Sequence, residues 1–162
     1  MYFHLRAVPP PALRNSAAWM RRLFEDDWDT VRERIGRHRE EVLDGTYLDH
    51  DLLYAGAPPH HAPNGPRADA VLGGRPVLQP GTGRPPFLLL TAAQVARVAA
   101  FLRSADFEGL WQLARDALLP AHGGPAAEEE LHAVLAVAHR DLTAFYGRTA
   151  RHGDAVVKCL LL

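Results

Sequence analysis

Two carboxylates, an imidazole and a phenol fall within six residues, as Asp49, His50, Asp51 and Tyr54. Acid–base chemistry uses such groups, because histidine titrates near neutral pH and a carboxylate can orient it. Neighbouring side chains on a helix point about 100° apart, so a helical segment would not make the four converge. Asp49 also has a structural use, as the cap of a short helix. This cluster is the best candidate site in the sequence. A small hydrolase or ligand-binding enzyme would place its pocket near Asp49, Asp51 and Tyr54. Trp19, which flanks the apolar stripe of its own helix, and His132 are the further binding candidates.

Other chemical signatures fail on spacing. His132 and His139 are seven residues apart. On a helix they share a face but stand about 10 Å apart along the axis. Ligands for one metal sit three or four apart, so no metal is expected. His60-His61 follow Pro58-Pro59 in a loop and have no partner spacing. Gly73-Gly74 and Gly81-Thr82-Gly83 lack the lysine of a phosphate-cradling loop, since Lys158 is the sole lysine. Ser16 and Ser104 are the two serines, and neither sits in a nucleophile elbow. Cys159 lies in an apolar run, where a thiol is packing. No cofactor and no catalytic set are expected.

The elements that would hold these residues read as α+β. Residues 1–8 alternate, with Met1, Phe3, Leu5 and Ala7 on one face, and this is a strand ended by Pro9-Pro10-Pro11. Helical spacing predicts a helix over 11–24 and a second over 26–43. The second carries the stripe Trp28, Val31, Ile35, His38 and Val42 and stops at Gly45. A short helix covers 48–56. Thr91-Ala92-Ala93-Gln94 has the form of a capping box ahead of Val95, Val98, Ala99 and Leu102. Helices follow over 107–118 and 126–151, the latter with Leu131, Val134, Leu135, Ala138, Leu142, Phe145 and Tyr146 in register. The closing run 155–162 is apolar on both faces apart from Lys158, so it is expected in a buried strand beside the N-terminal one. The expected architecture is helices packed around a small sheet that includes the N- and C-terminal strands.

Between these parts lies a different stretch. Eight of the 13 prolines and five of the 13 glycines fall in 57–86, which reads as an irregular segment with a helical piece at 69–72 and a strand at 75–78. At 162 residues the chain reads as one domain, 1–162. The net charge of −1 argues against nucleic acid. The arginines at 32, 34, 37 and 39 are outnumbered by seven acids in 26–44, and read as a salt-bridged helix face. The longest apolar run, 133–138, is far below the ~20 residues a membrane span needs. One cysteine and no leader-like start point to the cytoplasm.

The order of several pieces resembles the YfbM-like family, small bacterial domains of unknown function. They are the opening Met1–Val8, the stretch Tyr47–Gly56, Ala70–Gly74, the step Phe87–Val95, and the run from Leu142–Tyr146 to Gly153–Val157. The resemblance spans nearly the whole chain and implies the family's fold, with no catalytic residue to carry over. An ordinary core pattern without a convergent catalytic set favours a non-enzymatic binding or protein-interaction module with a protein partner. The enzyme with a pocket at Asp49, Asp51 and Tyr54 is the alternative.

Overall fold

The computed structural model describes residues 1–36 and 39–161. Arg37 of the arginine strip, His38 of the predicted stripe and Leu162 of the last strand lie outside the described residues. The chain ends meet at the centre of the molecule. Strand β1 (Tyr2–Val8) pairs antiparallel with β5 (Ala155–Leu161), from Tyr2 opposite Leu161 to Val8 opposite Ala155. On its other side β1 carries β2 (Glu40–Leu43), and β5 carries β4 (Phe87–Leu90), which carries β3 (Arg75–Val77). The antiparallel sheet runs β2-β1-β5-β4-β3.

The strand alternation divides the core between the two faces of this sheet. Phe3, Leu5, Ala7, Leu90 and Val156 join one apolar cluster. It is completed by helices α3 (Tyr47–Ala55), α5 (Ala92–Ser104), α6 (Phe107–Leu118) and α7 (Glu128–Arg151), together with Ala70 and Val71 just beyond the short α4 (Pro66–Asp69). Val8, Phe87, Leu89, Val157 and Cys159 join the other cluster, with α1 (Ala17–Glu25) and α2 (Trp28–Ile35). The capping box is present: Thr91 Oγ1 accepts from the Gln94 N–H at 3.3 Å, and Gln94 Oε1 accepts from the Thr91 N–H at 2.9 Å.

Three predicted boundaries are corrected. The first helix starts at Ala17 and not at 11, because the proline run folds into turns on the Pro9 carbonyl and Ser16 caps the helix. The second stops at Gly36, whose φ of 80° ends it in a left-handed cap, and not at Gly45. Residues 40–43 of that predicted helix are a strand. Glu40 is taken by β1, accepting from Arg6 Nε at 3.0 Å and lying 2.6 Å from His4 Nδ1. The Arg6 guanidinium in turn lies 4.0 Å from the centroid of Trp28 and donates to the Leu23 carbonyl. The arginine strip is therefore not one helix face. Arg34 pairs with Asp26 at 2.6 Å, and Arg39 reaches Asp154 at 3.9 Å.

The third correction falls in the Pro/Gly-rich segment, where the helical piece is 66–69 and not 69–72. The following turn is tied down from three sides. Lys158 Nζ, fully buried, donates to the carbonyls of Asp69, Val71 and Gly73 at 2.5, 2.7 and 2.9 Å. Tyr146 Oη donates to the Ala70 carbonyl at 2.8 Å, and Asp51 Oδ1 accepts from the Leu72 N–H at 3.2 Å. The turn closes so tightly that a Cβ at Gly73 would stand 2.4 Å from the Ala68 carbonyl oxygen. Among the described residues, no helix is long and apolar enough to cross a membrane.

Candidate functional site

Helix α3 presents its successive polar residues to different partners, as helical geometry requires. Asp49 does not cap the helix, since Thr46 occupies that position. Its Oδ2 lies 3.0 Å from His122 Nε2, on the turn after α6. Asp51 holds the Leu72 N–H and lies 3.8 Å from His61. Tyr54 is fully buried, with its hydroxyl 2.8 Å from His139 Nδ1 on α7. Burial raises the Tyr54 pKa and lowers that of His139, so both favour their neutral forms and share one hydrogen bond, its direction set by the imidazole tautomer.

His50 points inward from the same helix and is 1% exposed. Thr46 Oγ1 donates to Asp44 Oδ1 at 2.8 Å, so it accepts from His50 Nε2 at 3.3 Å. That leaves Nδ1 as a buried lone pair with no partner. Burial pushes the His50 pKa down to about 4, against the pull of Asp44 and with a smaller push from His139.

Trp19 and His132 stand apart from this helix. Trp19 packs with Met20, Leu23 and Val31 in the α1–α2 cluster. His132 lies 2.7 Å from Glu108 and has the rings of Phe107 and Trp111 at 5.3 and 5.4 Å. The five crevices measured on the surface take no wall from Asp49, Asp51 or Tyr54. No group of three or more metal-ligating side chains is placed to hold an ion among the described residues.

His50 does line a crevice, of about 270 Å³, between the sheet edge at β2, the start of α3 and the middle of α7. Its walls include Tyr2, Val42, Val134 and Val137, which are 55, 38, 40 and 47% exposed. Val134, counted in the core stripe of α7, thus faces out, because the apolar run 133–138 is wider than the stripe that the core can cover. Three carboxylates, Glu41, Asp44 and Asp141, share the walls. Burial raises the Glu41 pKa, and the like charges of Asp141 and Glu40 add to that, although the Val42 N–H at 3.0 Å works against it. A second crevice of about 210 Å³ adjoins through Thr46 and Val134 and is lined by His122 and Glu130. The arrangement is an apolar recess with an acidic rim at the free edge of a sheet. Of the predicted residues, the structure brings His50 to this face directly and Asp49 behind His122. Val134 and Val137 of α7 were legible as apolar, but their exposure depends on where the other helices stop.

A model of the family described as a domain of unknown function (DUF1877) matches residues 23–158. The crystal structure of YfbM from Escherichia coli, a protein of unknown function, is similar with a TM-score of 0.66. The match covers 99% of this chain and 100% of that one at 18% identity, which is a likeness of fold. No curated protein sequence matches.

Proposed function

The chain belongs to the DUF1877 family of unknown function, and from that starting point we propose that it is a non-enzymatic protein-binding module working in the cytoplasm. The face it uses is the one built by β2, the start of α3 and α7. One observation carries this reading: four of the large apolar residues exposed on the described surface, Tyr2, Val42, Val134 and Val137, surround a single crevice. Scattered exposed apolar residues need no explanation, but a group rimmed by polar residues marks an interaction surface. Glu41, Asp44 and Asp141 suit a partner that brings an apolar plug flanked by lysine or arginine. The small-hydrolase alternative needs Asp49, Asp51 and Tyr54 in one cavity, and α3 sends them to His122, Leu72 and His139.

The test is capture of a stoichiometric partner by the native domain and by Val137→Glu. Val137 is half exposed, so the substitution should leave the thermal melt within about 0.5 kcal/mol of native stability. Placing a fourth carboxylate among apolar contacts should weaken the complex at least tenfold. Equal recovery by both proteins, or no partner at all, would exclude this face.

A further inference from the structure

We propose that a separate cleft, between α1, the 79–85 loop and the end of β5, binds a small amphipathic monocarboxylate. The cleft has a volume of about 370 Å³ and lies on the α1–α2 side of the sheet, among residues of the second apolar cluster. Its size falls at the lower end of small-molecule sites, roughly 300–1,000 Å³. Phe24 and Phe87 form one wall as stacked rings, 5.9 Å apart and 13° from parallel. Pro85, Leu160 and Leu161 continue the apolar lining.

The polar lining is unbalanced. Arg84 Nη1 is held by Glu25 Oε1 at 2.9 Å, and that pair is half exposed at the mouth. Arg21 has no carboxylate partner among the described residues, and its Nε is buried without a hydrogen bond. One guanidinium charge is therefore left uncompensated, which suits a single negative charge. A carboxylate meets a guanidinium with two parallel charge-assisted bonds. Gln79 completes the polar lining. It is 7% exposed, and its Nε2 donates to the Pro85 carbonyl at 2.6 Å, which fixes the amide and leaves Oε1 without a donor. The Gln79 amide oxygen and an ionised carboxylate are both acceptors, so the ligand's charge is met at the Arg21 guanidinium and Gln79 serves as a fixed wall. Cys159 also lines the cleft, but burial raises its thiol to about 11, so it stays protonated and serves as wall.

The experiment is an amide NMR titration of the full chain with octanoate, and with octan-1-ol as the uncharged control. Octanoate should bind one to one, shifting the Gln79 side-chain amide and the backbone amides of 159–161, at least tenfold tighter than octan-1-ol. Arg21→Met should bring octanoate down to the affinity of the alcohol, while Val137→Glu should leave it unchanged. If Arg21→Met does not fold, Leu161→Trp, which fills the cleft, should abolish the shifts. Non-saturating shifts, shifts confined to the β2–α7 face, equal binding of acid and alcohol, or native affinity in the variants would overturn the assignment. Because Val137→Glu is the variant that breaks the protein-binding face, the two readings fail separately.

Discussion

His50 shows what burial does to a residue that the sequence marks as chemical. Its folded pKa of about 4 lies below the 6.5 of the unfolded chain. Between those values the unfolded chain holds a proton that the folded protein cannot accept. Stability from this residue is therefore full above pH 6.5 and is lost as pH falls towards 4, by about 3 kcal/mol at most. His50→Leu abolishes that loss and leaves no orphaned Nδ1, so urea unfolding should show the variant gaining on the native protein from pH 6.5 down to 4.5. A difference that does not change with pH would mean that His50 is charged in the fold. The sequence was informative about the divergence of Asp49, His50, Asp51 and Tyr54, because that follows from the helical repeat alone. It was silent about their partners. His122 and His139 come from distant turns of chain, and spacing carries no information about which helix packs on α3.

At the scale of elements, the long helices were readable because each has a stripe wide enough to repeat. Residues 26–43 were not, because Ile35 and Val42 fall at helical spacing while belonging to different elements. Period alone cannot see a strand that exists to carry Glu40 to His4 and Arg6. The punctuation is Gly36, and it can be separated from Gly45, the stop that the apolar spacing predicts. Gly36 has a φ of +80° with open space around its missing Cβ, whereas Gly45 has equal space and no such φ. Gly36→Ala should then cost about 1 kcal/mol through backbone strain alone, and Gly45→Ala should be neutral or stabilising by about 0.5 kcal/mol. Chemical denaturation of the two variants checks the pair. Equal effects would show that the helix does not end on the left-handed residue.

The molecule as a whole is closed by its own ends, and the alternation of 1–8 and the apolar run 155–162 were enough to foresee that pairing. They did not reveal that the central strand also fastens the Pro/Gly-rich segment through Lys158. A lone lysine in an apolar strand looks like an interruption until its three acceptors are known, and those are backbone carbonyls, which no side-chain pattern records. Burial lowers Lys158 to about 7, with Asp69 and Asp51 pulling the other way. From about pH 7 to 10 the unfolded chain keeps a proton that the folded protein has given up, and the neutral amine then donates to only two of the three carbonyls at a time. The native protein should then gain up to about 1 kcal/mol of stability per pH unit on going from pH 7 to 9. Lys158→Met, of similar length, removes that slope. It also leaves the carbonyls of Asp69, Val71 and Gly73 without their donor, at a cost of about 1–3 kcal/mol for each one that finds no water. The loss should be local before it is global. Hydrogen exchange of residues 66–74 should accelerate at least tenfold in the variant, while the β1–β5 amides slow or quicken only with overall stability. Uniform acceleration across the sheet, or a pH slope that survives the substitution, would show that Lys158 is a packing residue and that the segment is held by Tyr146 and Asp51 alone.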